Sequence, residues 1–267
     1  MDITSRDNRI IREYRHLLSD GKYRRQTGRF VLEGARLCED AVRSEIAIET
    51  VLYTSRAAQQ YAVQTKALCA VAPAFEIAET LSEYISDTSA PQGLFCICRI
   101  PEATLNVAQL NPNGRYAALE SVQDPGNLGT MIRSAEAFGL DGMLLSDGCC
   151  DPYNPKVLRA SMGGVFRMPL CSTARLDETL RDLSARGLTT VACVVDADAC
   201  VIQSLPLGGG CVAVIGNEGN GLTESAVNAC TCRATIPMDG RAESLNASMA
   251  AGIVFWEMVR KGSERRD

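Results

Sequence analysis

A chain of 267 residues that is 46% apolar and 22% charged can bury the cores of two ordinary folded domains, which excludes disordered and fibrous classes. No apolar run reaches the ~18 residues needed to span a bilayer and charge begins at Asp2, so a cytoplasmic protein without secretory signal or membrane span is expected. The net charge of −5 argues against a nucleic-acid partner, but nine Arg or Lys face five acids through residue 36, a local excess suited to phosphates or to a solvated helix face.

In chain order, "SRDNRIIREYRHLLSDG" reads as an amphipathic helix with Ile10, Tyr14, Leu17 and Leu18 on one face, arginines on the other and Gly21 as its stop. "RFVLEGARLCEDAVRS" reads as strand, glycine turn and helix, "IETVLYTS" as a strand and "RAAQQYAVQTKAL" as a helix. "GLFCICRI" reads as a strand of period-two alternation. These make a small α/β domain over residues 1–105, followed by a turn-rich linker at 106–115. Over 116–267 strands alternate with helices: "RYAALESV", "TMIRSAEAFG", "GMLLSD", "PKVLRASMG", "FRMPLC", "LDETLRDLSARG", "TTVACVVDA", "CVAVIG", "LTESAVNAC", "RATIPM" and "SLNASMAAGIVFWEMVRK". That order predicts a parallel sheet with helices on both faces, an α/β fold.

Three Gly/Asn-rich segments each follow a predicted strand: "QDPGNLG", "GNEGNGL" and "MDGRAESLNAS". In an open parallel sheet such loops share one edge, where ligands bind, so they are expected to form one pocket. Bare backbone there suits the edge of a flat ring such as adenine. No glycine fingerprint of a dinucleotide or nucleoside-triphosphate site is present. Arg133 lies beside the face Leu128, Ile132 and Ala135, where it can reach that edge or pair with Glu136 or Glu120. Asn127 and Glu218 read as ligand-facing groups or plain turn residues. Ser244 reads as the N-cap of a last helix whose apolar face is Leu245, Met249, Ile253 and Trp256, with the Asn246 amide free to enter the pocket.

The segments "VQDPGNLGTMIRSAEAFG", "VIGNEGNGL" and "IPMDGRAESLNASMAAGIVFWEM" resemble, in order and spacing, the motifs of the SpoU (TrmH-like) family of RNA ribose methyltransferases in the SPOUT superfamily. "DPYNPKVLRASMGGVFRMP" looks like the same family, and "RFVLEGARLCEDAV" and "SDTSAPQGLFCI" resemble its N-terminal substrate-binding domain, related in shape to ribosomal-protein-like RNA binders. The resemblance implies a trefoil knot in the C-terminal domain, a homodimer with the site completed across its interface, S-adenosyl-L-methionine as cofactor, and methylation of a ribose 2′-hydroxyl. Ribosomal RNA is favoured over transfer RNA. A transfer-RNA enzyme and a non-catalytic RNA binder are the alternatives. It places Gly216, Asn217, Ile236, Met238 and Leu245 at the cofactor, and Arg133, Asn127, Glu218, Ser244 and Asn246 in the catalytic pocket. Arg9, Arg12, Arg24, Arg25 and Arg29 form the expected RNA surface. A guanidinium has no acceptor and keeps its proton in proteins, so Arg133 is assigned to orient the hydroxyl and stabilise the developing alkoxide rather than to act as base.

The twelve cysteines read as reduced thiols, and the chain has a single histidine. The pairs Cys96/Cys98 and Cys230/Cys232 are the best metal case but lack the usual spacing, so no metal is expected. A reactive thiol at Cys149 or Cys150 stays open.

Overall fold

The computed structural model describes residues 2–102 and 105–263. The chain divides into two compact units, Met1–Glu102 with Asp151–Phe166, and Ala103–Cys150 with Arg167–Asp267.

The first unit opens with β1 (Asp2–Ile3), α1 (Arg9–Ser19), α2 (Gly21–Thr27), β2 (Arg29–Glu33) and α3 (Ala35–Arg43). It continues through β3 (Ile48–Tyr53), α4 (Ser55–Gln60), α5 (Ala62–Val71), β4 (Ala74–Ile77), α6 (Glu79–Ile85) and β5 (Leu94–Arg99). The sheet runs β1-β4-β3-β5-β2, with β5 antiparallel to both neighbours and the other pairings parallel. Asn8 caps α1 by accepting the Ile10 N–H at 2.8 Å, and the helix buries Ile11, Tyr14 and Leu17. Ile10 and Leu18 flank that stripe half-buried, one position off the expected face. Gly21 does not end α1. It begins α2, because Asp20 accepts the N–H groups of Lys22 and Tyr23 and caps the second helix. The alternation in β5 is between two cores rather than core and solvent. Phe95 and Ile97 join Tyr14 and Leu81, while Cys96 meets Cys38 of α3 on the other face.

The second unit holds β6 (Arg115–Leu119), α7 (Pro125–Ala137) and β7 (Gly142–Ser146), after which the chain contributes α8 (Pro155–Ser161) to the first unit. It then forms β8 (Leu170–Thr173), α9 (Leu176–Ala185), β9 (Thr189–Cys193), β10 (Cys200–Val201), β11 (Cys211–Ile215), α10 (Glu224–Ala229), β12 (Cys232–Thr235) and α11 (Ala247–Ser263). The strand order β10-β12-β9-β11-β6-β7-β8 is parallel throughout. Helices α7 and α11 pack together, as do α9 and α10. Leu176, Leu180 and Leu183 of α9 close a core with Tyr116, Leu144, Val212 and Val214 from the strands.

Residues 151–166, expected in the C-terminal domain, belong to the first unit. Phe30 of β2 receives the rings of Tyr153 (4.9 Å between centroids) and Phe166 (6.2 Å), and Asp151 pairs with Arg24 at 2.7 Å. Arg24 is therefore not an RNA-contacting side chain. It is 3% exposed, and its guanidinium also donates to the carbonyls of Leu17 and Leu18. The buried face of α11 is likewise not the expected one. Ala251, Val254, Phe255 and Met258 face inward, whereas Met249 and Trp256 are 59% and 53% exposed. An all-round apolar helix gives periodicity no way to choose its inner face.

Candidate active site at the switch between two parallel strands

Strands β6 and β11 lie side by side, yet their onward connections run in opposite directions: β6 leads to β7 on one flank, β11 to β12 on the other. Loops leaving such a pair diverge and open a crevice at the carboxyl ends of the strands. Two carboxylates lace it together, one from each loop. Glu120, just past β6, accepts the Thr223 N–H (2.8 Å) and hydroxyl (2.7 Å) at the start of α10. Glu218, past β11, accepts the N–H groups of Gln123 (3.2 Å) and Asp124 (3.0 Å) at the start of α7, and the Asn127 side-chain amide at 3.2 Å. Burial pushes the Glu218 carboxyl up, but the donated hydrogen bonds outweigh it and leave it below the ordinary range.

Local sequence builds each part. Asp124 accepts the Asn127 N–H at 2.7 Å and Pro125 follows at the first helical position, which starts α7 with its first turn facing the crevice. Asn217 folds its own loop. Its side chain accepts Gly219 and Asn220 N–H groups and donates to the Ser121 carbonyl at 2.7 Å, while its backbone pairs with Gly221. Gly216 has a steric reason to be glycine: a Cβ there would sit 2.2 Å from the Gly221 carbonyl carbon. The loop needs this glycine to close on itself, before any question of ligand approach.

The third loop joins through Asn246, whose amide donates to Asn127 Oδ1 at 3.0 Å. Asn246 Oδ1 accepts the Ser248 N–H, the Ser248 hydroxyl and the Met249 N–H, so Asn246, not Ser244, caps α11, and its amide is not free. Ser244 is exposed in the strand-to-helix loop. Asn127, Glu218 and Asn246 thus form one hydrogen-bonded line. Arg133 lies on the exposed side of α7, and among the described residues it forms no ion pair. The acids that competed for it are engaged elsewhere, Glu136 with Arg167 (2.8 Å) and Glu120 with Thr223.

Beside this line, at the ends of β9, β11 and β12, lies an apolar cleft. Ile236, Met238 and Leu245 line it, with Val194, Val195, Ile202 and Ile215. Gly216 and Asn217 follow Ile215 on the same edge. Sequence reasoning missed the Val194–Val195 wall and the Glu120 clamp. The apolar run "VACVVDA" continuing past the strand was the available signal for the first, and the "ES" after β6 carried none for the second. Among the described residues, 237–245 make no backbone–backbone hydrogen bond, so their polar groups are open beside an apolar wall. That combination fits an adenosyl group, with its flat ring against aliphatic carbon and its edge against backbone.

In the first unit, Arg9, Arg12 and Arg25 are exposed, and Arg29 is partly neutralised by Glu13 at 2.7 Å and Glu49 at 3.7 Å. Five of the thiols are poor nucleophiles. The hydrogen bond that the Cys96 thiol donates to Cys38, with burial, holds Cys96 protonated, and burial pushes up Cys98, Cys149, Cys230 and Cys232. Among the described residues no group of three or more His, Cys, Asp or Glu side chains is placed to hold a metal, and no helix is long and apolar enough to cross a membrane.

Comparison with known proteins agrees with this geometry. The SpoU rRNA Methylase family matches residues 114–256, and the MRM3-like substrate binding domain matches residues 8–96. The chain belongs to the SpoU methylase family. It is 30% identical over 96% of its length to the 23S rRNA (guanosine(2553)-2′-O)-methyltransferase RlmP of Bacillus subtilis, 98% of which is covered. The AdoMet-bound rRNA methyltransferase of Sinorhizobium meliloti superposes with a TM-score of 0.84 at 31% identity, covering 97% of each chain. The SpoU methyltransferase AviRb of Streptomyces viridochromogenes, solved with AdoMet, superposes at 0.85 with 26% identity, covering 95% of this chain and 98% of that one.

Proposed function

We propose that this chain transfers the methyl group of S-adenosyl-L-methionine to a ribose 2′-hydroxyl of RNA, with ribosomal RNA as the substrate class. The observation that carries the reading is the Glu218–Asn127–Asn246 line, which fixes three distant loops beside an apolar cleft. Relatives that match nearly the whole chain are named as 23S rRNA methyltransferases, which supports the ribosomal class.

The sulfonium of the cofactor supplies an already activated methyl group. Ile236, Met238, Leu245 and Val195 hold the adenosyl group against aliphatic carbon, and Gly216 and Asn217 bound the site at its edge. Asn127 and Glu218 hold the start of α7, and with it Arg133, whose guanidinium binds the RNA phosphate and orients the 2′-hydroxyl. It also stabilises the developing alkoxide, while a water or phosphate oxygen takes the proton. Ser244 and Asn246 floor the pocket. Arg9, Arg12 and Arg25 meet RNA phosphates from the first unit.

Two further features complete the reading. The C-terminal segment threads through a loop to make the family's trefoil knot. A second copy packs on the face of α11 that carries Met249 and Trp256, completing the active site across a homodimer.

The test is methyl transfer from labelled S-adenosyl-L-methionine to ribosomal and transfer RNA, followed by nuclease digestion and mass spectrometry. A 2′-O-methylnucleoside in ribosomal RNA is expected. Label on a base, in transfer RNA only, or in neither RNA overturns the proposal.

A further inference from the structure

The first unit contains a cavity of about 330 Å³ that the reading above leaves without a role. It opens between the start of α3, the loop before β5 and the end of α8, and Gly34, Leu37, Ala90 and Met162 supply its apolar surface. That volume lies at the lower end of small-molecule sites, roughly 300–1,000 Å³. Local structure holds the cavity open. Glu33 accepts the hydroxyls of Ser86 and Thr88 and the Asp87 N–H, pinning the loop, and Arg159 of α8 pairs with Asp87 at 2.7 Å. Gly34 is left-handed (φ 99°). Gly163, also left-handed (φ 77°), approaches Asp40 so closely that a Cβ would lie 2.7 Å from its carboxylate oxygen.

Three polar groups around the opening are unspent. Gln92 accepts the Ala35 N–H at 2.8 Å through Oε1, which leaves its NH₂ without a partner among the described residues. Asp40 and Arg36, both lining the cavity, likewise form no ion pair or side-chain hydrogen bond there. A half-buried carboxylate, a free amide donor and an exposed cation around an apolar slot make a recognition set. The carboxylate accepts only, so it selects a base edge with two adjacent donors. The amide NH₂ suits a neighbouring acceptor, and the guanidinium a phosphate. Guanine has the paired donors and the neighbouring acceptor, whereas uracil and adenine lack the pair.

We propose that this cavity binds one unstacked guanosine of the RNA substrate. Asp40 accepts from its Watson–Crick edge, Gln92 donates to it, and Arg36 with Arg159 flanks its phosphate. Sequence-specific RNA recognition targets such splayed-out bases. The proposal rests on the chain acting on RNA, and it assigns the first unit a reading of sequence beyond phosphate contact.

The experiment measures binding of the full chain to its ribosomal RNA and to single-stranded oligonucleotides of the same length, with and without one central guanosine. The variants are Ala90→Trp, which fills the cavity from an exposed loop position, and Asp40→Asn, which removes the acceptor pair. Circular dichroism checks that both fold. Wild type is expected to prefer the guanosine oligonucleotide by about tenfold or more, the discrimination of one good bidentate contact. Asp40→Asn abolishes that preference, and Ala90→Trp weakens binding to both guanosine oligonucleotide and ribosomal RNA about tenfold, with cofactor affinity unchanged. Folded variants that bind both RNAs as wild type does, or a wild type indifferent to guanosine, overturn the proposal. Absence of methyl transfer by a wild type that keeps the guanosine preference would overturn the enzymatic reading alone.

Discussion

The side-chain amide of Asn246 donates to Oδ1 of Asn127 across 3.0 Å, and Asn127 passes the chain on by donating its own amide to Glu218. Two residues 119 positions apart therefore set each other's amide orientation, and through them the loop after β12 is tied to the loops after β6 and β11.

Asn127→Ala breaks the line in the middle. The groups it leaves are exposed and take water, so stability is expected to fall by about 1 kcal/mol or less. Turnover is expected to fall about a hundredfold, the cost of a displaced reacting group, with cofactor affinity retained. Single-turnover kinetics beside calorimetry separates the two effects. Unchanged turnover removes Asn127 from the active site.

Glu218 gives the site an acid limit. Its folded-state carboxyl lies below the ordinary range, so its contribution is present above the unfolded value, about 4.3, and is lost as pH falls through the lower folded value. Denaturation midpoints of wild type are expected to drop in that window more than those of Glu218→Gln. The Gln variant is expected to be the less stable of the two at neutral pH, because its NH₂ then faces backbone donors. Parallel curves for the two proteins would contradict this.

Arg133→Lys keeps the charge and loses the planar fork. About a hundredfold to a thousandfold loss of turnover is expected, without recovery as pH rises. A rising profile that restores activity at high pH would show that the side chain works as a base.

The neighbours Arg24 and Arg25 separate structure from substrate contact. Arg24→Ala orphans Asp151 in a buried pair and is expected to cost about 3 kcal/mol or more in denaturant unfolding. Arg25→Ala is expected to leave stability within about 0.5 kcal/mol, because its side chain is exposed, and to weaken RNA binding and its salt dependence.

Trp256→Asp introduces charge on the outer face of α11, where Trp256 is 53% exposed and its ring lies 5.8 Å from that of Phe138. Sedimentation is expected to show a dimer for wild type and a monomer for the variant, with methyl transfer lost. A monomeric wild type would refute the dimer.

What the sequence made legible follows from how local each signal is. Parallel strands announced themselves as apolar runs, and loops ending in Gly-Asn clusters had to gather on one edge, which is where 123–129, 216–222 and 238–248 stand. Cap choice was harder, because Ser244 and Asn246 are both good caps and only the chain's path to Asn127 decides between them. The inner face of α11 was hidden by apolar residues all round, and Arg24 by its likeness to the arginines beside it. The short β1, β4 and β10 carry too few residues for any period to appear. The segment 155–163 read as a helix correctly, but nothing in the pattern of 151–166 names the core that receives it.

That excursion makes the chain pass between its units three times, after Glu102, after Cys150 and after Phe166. Neither half is a bead that one cut can release. A fragment beginning near residue 106 would carry Tyr153 and Phe166 away from the Phe30 ring they pack on, and the buried Val157 and Leu158 away from β2, presenting sticky surface to other copies. Dissection therefore calls for a short bridge from Cys150 to Arg167 in the catalytic fragment, with 151–166 supplied to the other fragment as a graft.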